Sequence, residues 1–407
     1  MTASAQVVVA GGGIAGLEAL LALRSLAGDR AEVTLVAPER EFVYKPLAVG
    51  EPFSLTPAER RELEPLAREL GARFLQQPLA GVRPEEQVAE LGDGSDLGYD
   101  GLVVCVGGRA RPAYALATTF RADAEPLRVD ELLEQTAASP STRVAFVVPP
   151  DVSWPLPLYE LALMTERRAQ DLGHTTLDFQ LLTPEPAPLN VFGAEASAAV
   201  AELLAARGIV VSTETRVSEV DGELLVAPEG EPLEAAAVIA LPVIDGPAVS
   251  GLPNDAGGFA PIDEHARVKG LEGVYAAGAG TNFPLKQGGI GTQQADAAAE
   301  HIAARLGAPV DPEPFRPVLR GKLITGDQTL SMRADVDAVG REGVSSPDYL
   351  WWPPHKVSGR YLAPFLAGSV PHRAPEPPGR PLDVEVSLPT EWHREPMALD
   401  PLGPPAS

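Results

Sequence analysis

VVVAGGGIAGLEALLAL, residues 7–23, decides the fold. Val7 to Ala10 is a short apolar run of buried-strand type, and it runs straight into Gly11, Gly13 and Gly16 and then into a helical pattern from Ile14 to Leu23. Each glycine of this G-x-G-x-x-G turn has a separate physical task. The first permits the tight turn, the second lets backbone approach a pyrophosphate, and the third lets helix and strand pack closely. The phosphates then face the positive end of the helix, next to Ile14 and Ala15. A second strand, VTLVAPE from Val33, ends about 20 residues past the last glycine, where such a unit places an acid for the ribose hydroxyls. That position is Ala37, which makes Glu39 the nearest candidate.

The plan then repeats. RVAFVVPP from Arg143 reads as a strand, a helix is expected from about Pro157 to Leu172, and FQLLTPE from Phe179 nearly restates VTLVAPE. Laying Glu18 on Glu160 puts Gly11, Gly13 and Gly16 on Ser153, Pro155 and Leu158, so all three glycines are replaced. The turn PPDVSWPLP carries four prolines around a Trp, which leaves few N–H donors and little room for a pyrophosphate. The second unit is either a retained scaffold, the preferred reading, or a divergent NAD(P)H site.

Composition bounds the partners. The chain has 407 residues, enough for two or three packed units, and is 45% hydrophobic and 22% charged, the balance of a folded globular protein. Its net charge of −24 and its lack of any Lys/Arg run argue against nucleic acid and anionic lipid surfaces. No stretch reaches the roughly 20 apolar residues that span a bilayer, and the first residues lack a secretion signal, so a cytoplasmic protein, at most peripheral to a membrane, is expected. Cys105 is the single cysteine, which removes any disulfide framework or redox-active thiol pair within the chain, and it is expected to be an inert core residue. The six histidines show no metal-ligand spacing, and no metal is expected.

DGLVVCVGGRARP from Asp100 is a buried strand ending at Gly107 and Gly108, followed by a basic, Pro-containing crossover. GVYAAGAGTNFPLKQGGIGTQQADAAAEHIAARL from Gly273 is again strand, turn and helix. Gly288, Gly289 and Gly291 open an Ala-rich helix whose N-terminus is electropositive, with Lys286 just before it.

Taken in order, VVVAGGGIAGLEALLAL, FVYKPLAVGEPF from Phe42, YDGLVVCVGG from Tyr99, VYAAGAGTNFPLKQGG from Val274 and LWWPPHKVSGRYLAPFL from Leu350 resemble the two-dinucleotide-domain flavoproteins. The similar branch is the one with sulfide:quinone oxidoreductases, flavocytochrome c sulfide dehydrogenase and type II NADH dehydrogenases. The resemblance implies an α/β chain of two Rossmann-like FAD/NAD(P)-binding domains, the second inserted in the first, plus a small C-terminal cap. The expected boundaries are 1–112 and 265–316 for the FAD domain, 113–264 for the degenerate NAD-type domain, and 317–407 for the cap and a Pro/acid-rich tail. It implies FAD held by Gly11, Gly13, Ile14, Ala15, Gly16, Glu39, Lys45, Pro46, Gly107, Gly278, Ala279, Lys286, Gln287, Gly288 and Gly289, with Lys286, Tyr44 and Lys45 next to the chemistry. A helix N-terminus and a lysine suit the flavin edge where negative charge accumulates on reduction.

Three departures from the family pattern shape the functional expectation. Sulfide oxidation in the relatives uses paired cysteines, and this chain has one; NADH oxidation needs the second glycine turn, which is gone. The third departure is at Ala279, where most of the family carries an Asp that hydrogen-bonds the ribityl chain; Thr281 or Asn282 stands close enough in sequence to substitute. Losing one charge-assisted hydrogen bond costs about 1.5–3 kcal/mol, roughly tenfold to a hundredfold in affinity. The expected function is an FAD-dependent oxidoreductase passing electrons from a small-molecule donor to a quinone or other small acceptor, either as a monomer or as a homodimer. Two alternatives are a non-catalytic nucleotide-binding scaffold and an NAD(P)H-dependent flavin reductase. PVLRGKLITG from Pro317 reads as a strand, and the aromatics of LWWPPHKVSGRYLAPFL form either an exposed binding face or the packed core of the cap.

Overall fold

The computed structural model describes residues 4–55, 57–335 and 343–368. The Pro/acid-rich segment expected from Pro371 onward lies outside the described residues. Ala5–Ala10 stands at the centre of a five-stranded parallel sheet, with Ala31–Val36 and Arg73–Leu75 on one side and Gly101–Val104 and Val274–Ala276 on the other. Its strands are apolar on both faces because helices cover them, the usual condition of a parallel sheet. Helix Ile14–Ala27 packs on Gly288–Arg305, and both open on glycines.

The second sheet repeats the arrangement with Arg143–Val147 at its centre. Asp178–Leu182 and Val210–Ser212 lie on one side, and Ala237–Ala240 and Thr118–Thr119 on the other. A two-stranded antiparallel ribbon, Arg109–Arg111 with Val243–Asp245, carries the chain out and back, and Arg111 pairs with Asp245 across it at 2.8 Å. The return crossing therefore falls at Val243–Asp245 rather than near residue 265. Val249, Leu252, Ala260 and Ile262 already pack in the core built around Val7–Ala10.

The C-terminal piece joins both units. Val318–Ile324, Thr329–Asp335 and Gly343–Ser346 form an antiparallel sheet whose Leu319, Leu323, Met332 and Ala334 enter the core of the second unit. The chain then crosses over, and Val357, Tyr361 and Leu362 enter the core of the first. The aromatic run divides between the two fates open to it: Trp351 and Tyr361 are buried, whereas Tyr349 and Trp352 are exposed. Among the described residues no helix is long and apolar enough to cross a membrane, and no group of His, Cys, Asp or Glu is arranged to hold a metal ion.

Candidate functional site: a cavity between two glycine turns

The opening turn is built by steric exclusion. Gly11 has φ +123°, and a Cβ there would lie 2.2 Å from the Cys105 carbonyl oxygen; a Cβ on Gly16 would lie 1.8 Å from the Gly11 oxygen. Neither position admits a side chain. Gly13 differs, because a Cβ there would meet nothing within 4 Å and the residue faces open space. That space is the mouth of a cavity of about 1930 Å³. Helix Ile14–Ala27 presents its N-terminus to it with no side-chain cap and no acidic residue in its first turn.

The second glycine turn arrives at the same place. Gly278, at φ +88°, packs against Ala15, and Gly291 packs against Gly278, so the two helix starts converge. The Gly278 N–H donates to Gln294 Oε1 at 2.8 Å, which fixes the turn from behind. Two converging helix N-termini create one region of positive potential suited to an anionic dinucleotide. The steric cradle at Gly11 and Gly16, the open face at Gly13 and the volume of the cavity all fit FAD.

Gly11, Gly13, Ile14, Ala15, Glu39, Lys45, Pro46, Gly107, Gly278, Ala279, Lys286, Gln287 and Gly288 all line the cavity. Gly16 serves it from behind, as the contact that seats the helix. Glu39 is exposed at the strand end and makes no hydrogen bond among the described residues, so its carboxylate is available to a hydroxyl ligand. Lys45 reaches Asp123 of the second unit at 3.3 Å.

Four expectations are revised in detail. Tyr44 does not line the cavity: it is 2% exposed, its hydroxyl accepts the Val357 N–H at 2.7 Å, and burial raises its pKa. Occupied and turned inward, it ties the first unit to the C-terminal segment and cannot exchange a proton with the site. Gln287 turns its amide away from a ligand, its oxygen accepting the Ile290 N–H at 2.8 Å as a helix cap and its nitrogen donating to the Arg320 carbonyl at 3.0 Å. Gly289 packs under that cap rather than on the cavity wall. Thr281 cannot stand in for an acid at Ala279, because it is 1% exposed and its hydroxyl donates to the Gly278 carbonyl at 3.0 Å. Asn282 does line the cavity, although its Oδ1 accepts the Ile262 N–H at 3.2 Å.

Lys286 is a perturbed cation on this wall. Burial lowers its pKa to about 8, the Asp255 carboxylate works against that, and the Nζ sits 3.6 Å from the Phe259 ring centroid while donating to the Thr281 carbonyl. It is charged at neutral pH and within reach of losing its proton. Cys105 is buried beside the glycine turn, and burial pushes its thiol up to about 12, which disfavours the reactive thiolate.

Sequence reasoning missed the far end of the cavity. Glu185, Arg320, Lys322 and Lys356 all line it. Glu185 is the counterpart of Glu39 in the repeated phrase, which was a usable signal, but here the Tyr159 hydroxyl at 2.6 Å and the Thr183 hydroxyl at 2.8 Å close it off. The other three come from the C-terminal piece and had no local signal.

The profile described as Pyridine nucleotide-disulphide oxidoreductase matches residues 5–138 and 160–301. A mitochondrial sulfide:quinone oxidoreductase of Dictyostelium discoideum is 29% identical over 105 residues, which are 25% of this chain and 23% of that protein; the chain thus spans about a quarter of the length of this relative. The solved sulfide:quinone oxidoreductase of Aquifex aeolicus superposes with a TM-score of 0.75 at 21% identity, over 84% of this chain and 87% of that one. A NAD-dependent persulfide reductase from A. fulgidus gives a TM-score of 0.58 at 20% identity, over 81% and 64%. At these identities the structures speak for the fold.

Proposed function

The chain belongs to the pyridine nucleotide-disulphide oxidoreductase family and is an FAD-dependent oxidoreductase, and from that premise we propose that it carries electrons from a small donor other than NADH or NADPH to a quinone or another small acceptor. FAD, when bound, supplies the two-electron redox chemistry. Gly11, Gly13 and Gly16 with the first helix N-terminus would hold the pyrophosphate, and Glu39 would take a ribose hydroxyl. Lys286, Lys45, Pro46 and the start of helix Gly288–Arg305 would flank the flavin ring. Lys286 keeps a positive charge at the turn, which favours an electron-rich ring edge. Ala279 leaves the ribityl side without a carboxylate anchor.

One observation carries the exclusion of nicotinamide: the second unit has no glycine turn with which to receive it. Pro155 stands at the N-cap of helix Leu156–Asp171 and Pro157 within its first turn, and Leu158 is fully buried where a third glycine would stand. That helix therefore lacks the donors a pyrophosphate requires. We place the protein in the cytoplasm or at a membrane periphery, where a quinone is accessible. The test is spectroscopic. The purified protein is expected to be yellow and to release FAD on heating. Under anaerobic conditions NADH and NADPH should leave its visible absorbance unchanged, and chemically reduced protein should regain colour on adding a soluble quinone. Rapid bleaching by either nicotinamide, or colourless protein that does not take up FAD, overturns the reading.

A further inference from the structure

The cavity continues past Lys286. Its far lobe is lined by Trp154, Leu156 and Val191 of the second unit and by Arg320 and Lys322 of the C-terminal sheet, with Leu156 against Gly321 on the strand face away from the two cations. Arg320 and Lys322 alternate with the core residues Leu319 and Leu323 along the strand, so both point to the same face. Arg320 Nε is buried with no hydrogen-bond partner, and the carboxylate that acts on this guanidinium, Asp335, has its ion pair with Arg333. Its cross-strand neighbour is another cation, Arg333. Lys322 Nζ donates to the Pro354 carbonyl at 3.1 Å, and the positive charge of Lys356 presses on it.

Arg320, Lys322 and Lys356 line this lobe together with Glu185, whose carboxylate is held by Tyr159 and Thr183. Glu160 is bound to Lys356, and Asp335 Oδ1 is 3.8 Å from Arg333, too far for a hydrogen bond. Like charges set directly opposite on adjacent strands repel, and a buried guanidinium with an unmet donor is costly unless an anion completes it. Burial draws the Arg320 pKa down to about 10, and its charge is nevertheless retained at neutral pH. The surplus is local, in a chain whose overall charge is −24.

We propose that this lobe binds a small organic carboxylate, its anionic group between Arg320 and Lys322. The small redox partner of the reaction is a molecule of this class. The second half of the inference rests on the redox reading of the cavity given above; the anion site itself does not.

Isothermal titration of the FAD-loaded full chain with benzoate, and with benzamide as its neutral counterpart, tests it. Benzoate is expected to bind and benzamide to bind at least tenfold more weakly. Arg320→Gln should weaken benzoate by at least about tenfold, the share of one charge-assisted hydrogen bond, and Arg320→Lys by less. Lys322→Gln gives the same reading should Arg320→Gln fail to fold. Equal binding of the two compounds, no benzoate binding, or unchanged affinity in the folded variants overturns the site. Reduction of the flavin by candidate donors is recorded on the same samples. Benzoate binding to protein that no donor reduces overturns the redox reading and leaves the anion site standing; normal reduction without benzoate binding does the reverse.

Discussion

The two strand–turn–helix units of this chain share one plan and divide its work. In the first, glycine at position 16 lets helix Ile14–Ala27 touch the turn at Gly11; in the second, the matching residue is Leu158, fully buried. The first leaves Glu39 exposed at the strand end, whereas the second closes Glu185 with Tyr159 and Thr183, and burial raises that carboxyl to about 7. What both keep is the glutamate one turn into the helix. Glu18 accepts the Tyr361 and Leu362 N–H groups at 2.7 and 2.8 Å, and Glu160 accepts the Ile324 N–H at 2.9 Å and the Lys356 ammonium. The second copy lacks the glycines of the first turn, and both copies hold the C-terminal piece.

The largest effect should come from giving the first turn what the second has. Gly16→Ala would place a methyl 1.8 Å from the Gly11 oxygen, where only backbone displacement relieves it. Flavin content is expected to fall below detection, with a stability loss of about 3 kcal/mol or more. The reverse exchange breaks the symmetry: Leu158→Gly empties a full core site and is expected to cost about 3–5 kcal/mol while conferring no reduction by NADH. Chemical denaturation and the visible spectrum of each variant decide both, and a well-folded, NADH-reducible Leu158→Gly protein would refute the contrast.

Removing Glu160 comes next. Glu160→Ala strands the buried Lys356 ammonium and should cost about 3–5 kcal/mol in urea unfolding, most of it recovered by adding Lys356→Met. Ala279→Asp restores the carboxylate that the resemblance associates with the ribityl chain. It is expected to tighten FAD about tenfold to a hundredfold on reconstitution of apoprotein, measured by flavin fluorescence. The smallest effect concerns Glu18. Burial raises its carboxyl from 4.5 to about 6, and Asp296, raised well above its ordinary value by burial and by Glu18, shares its proton. The folded protein takes up that proton more readily than the unfolded chain. The contribution is complete below about pH 4.5 and is lost as pH rises through about 6. Asp296→Asn should flatten the pH dependence of Tm across that window and add about 1 kcal/mol at pH 7. An unchanged profile would show that the pair does not titrate there.

Much of this was legible beforehand for a physical reason. A strand, a positive-φ glycine and a close helix crossing are local events, so residues 7–23 alone specify the opening unit, and residues 149–157 show four prolines and no glycine in the matching turn. Lys286 and the start of helix Gly288–Arg305 were readable for the same reason. Tyr44 was not, because its partner Val357 lies 313 residues away, and a hydroxyl's occupation is invisible until its partner is in place.

By itself, then, the sequence determined two parallel α/β units, one with a glycine turn and one with a proline turn in the matching place, because backbone geometry is encoded within a few residues. Only the tertiary structure decided that the C-terminal piece staples both units through Glu18 and Glu160. The same is true of the cationic lobe lined by Arg320 and Lys322. Charge balance and hydrogen-bond satisfaction are sums over neighbours in space, and those neighbours are drawn from segments more than a hundred residues apart.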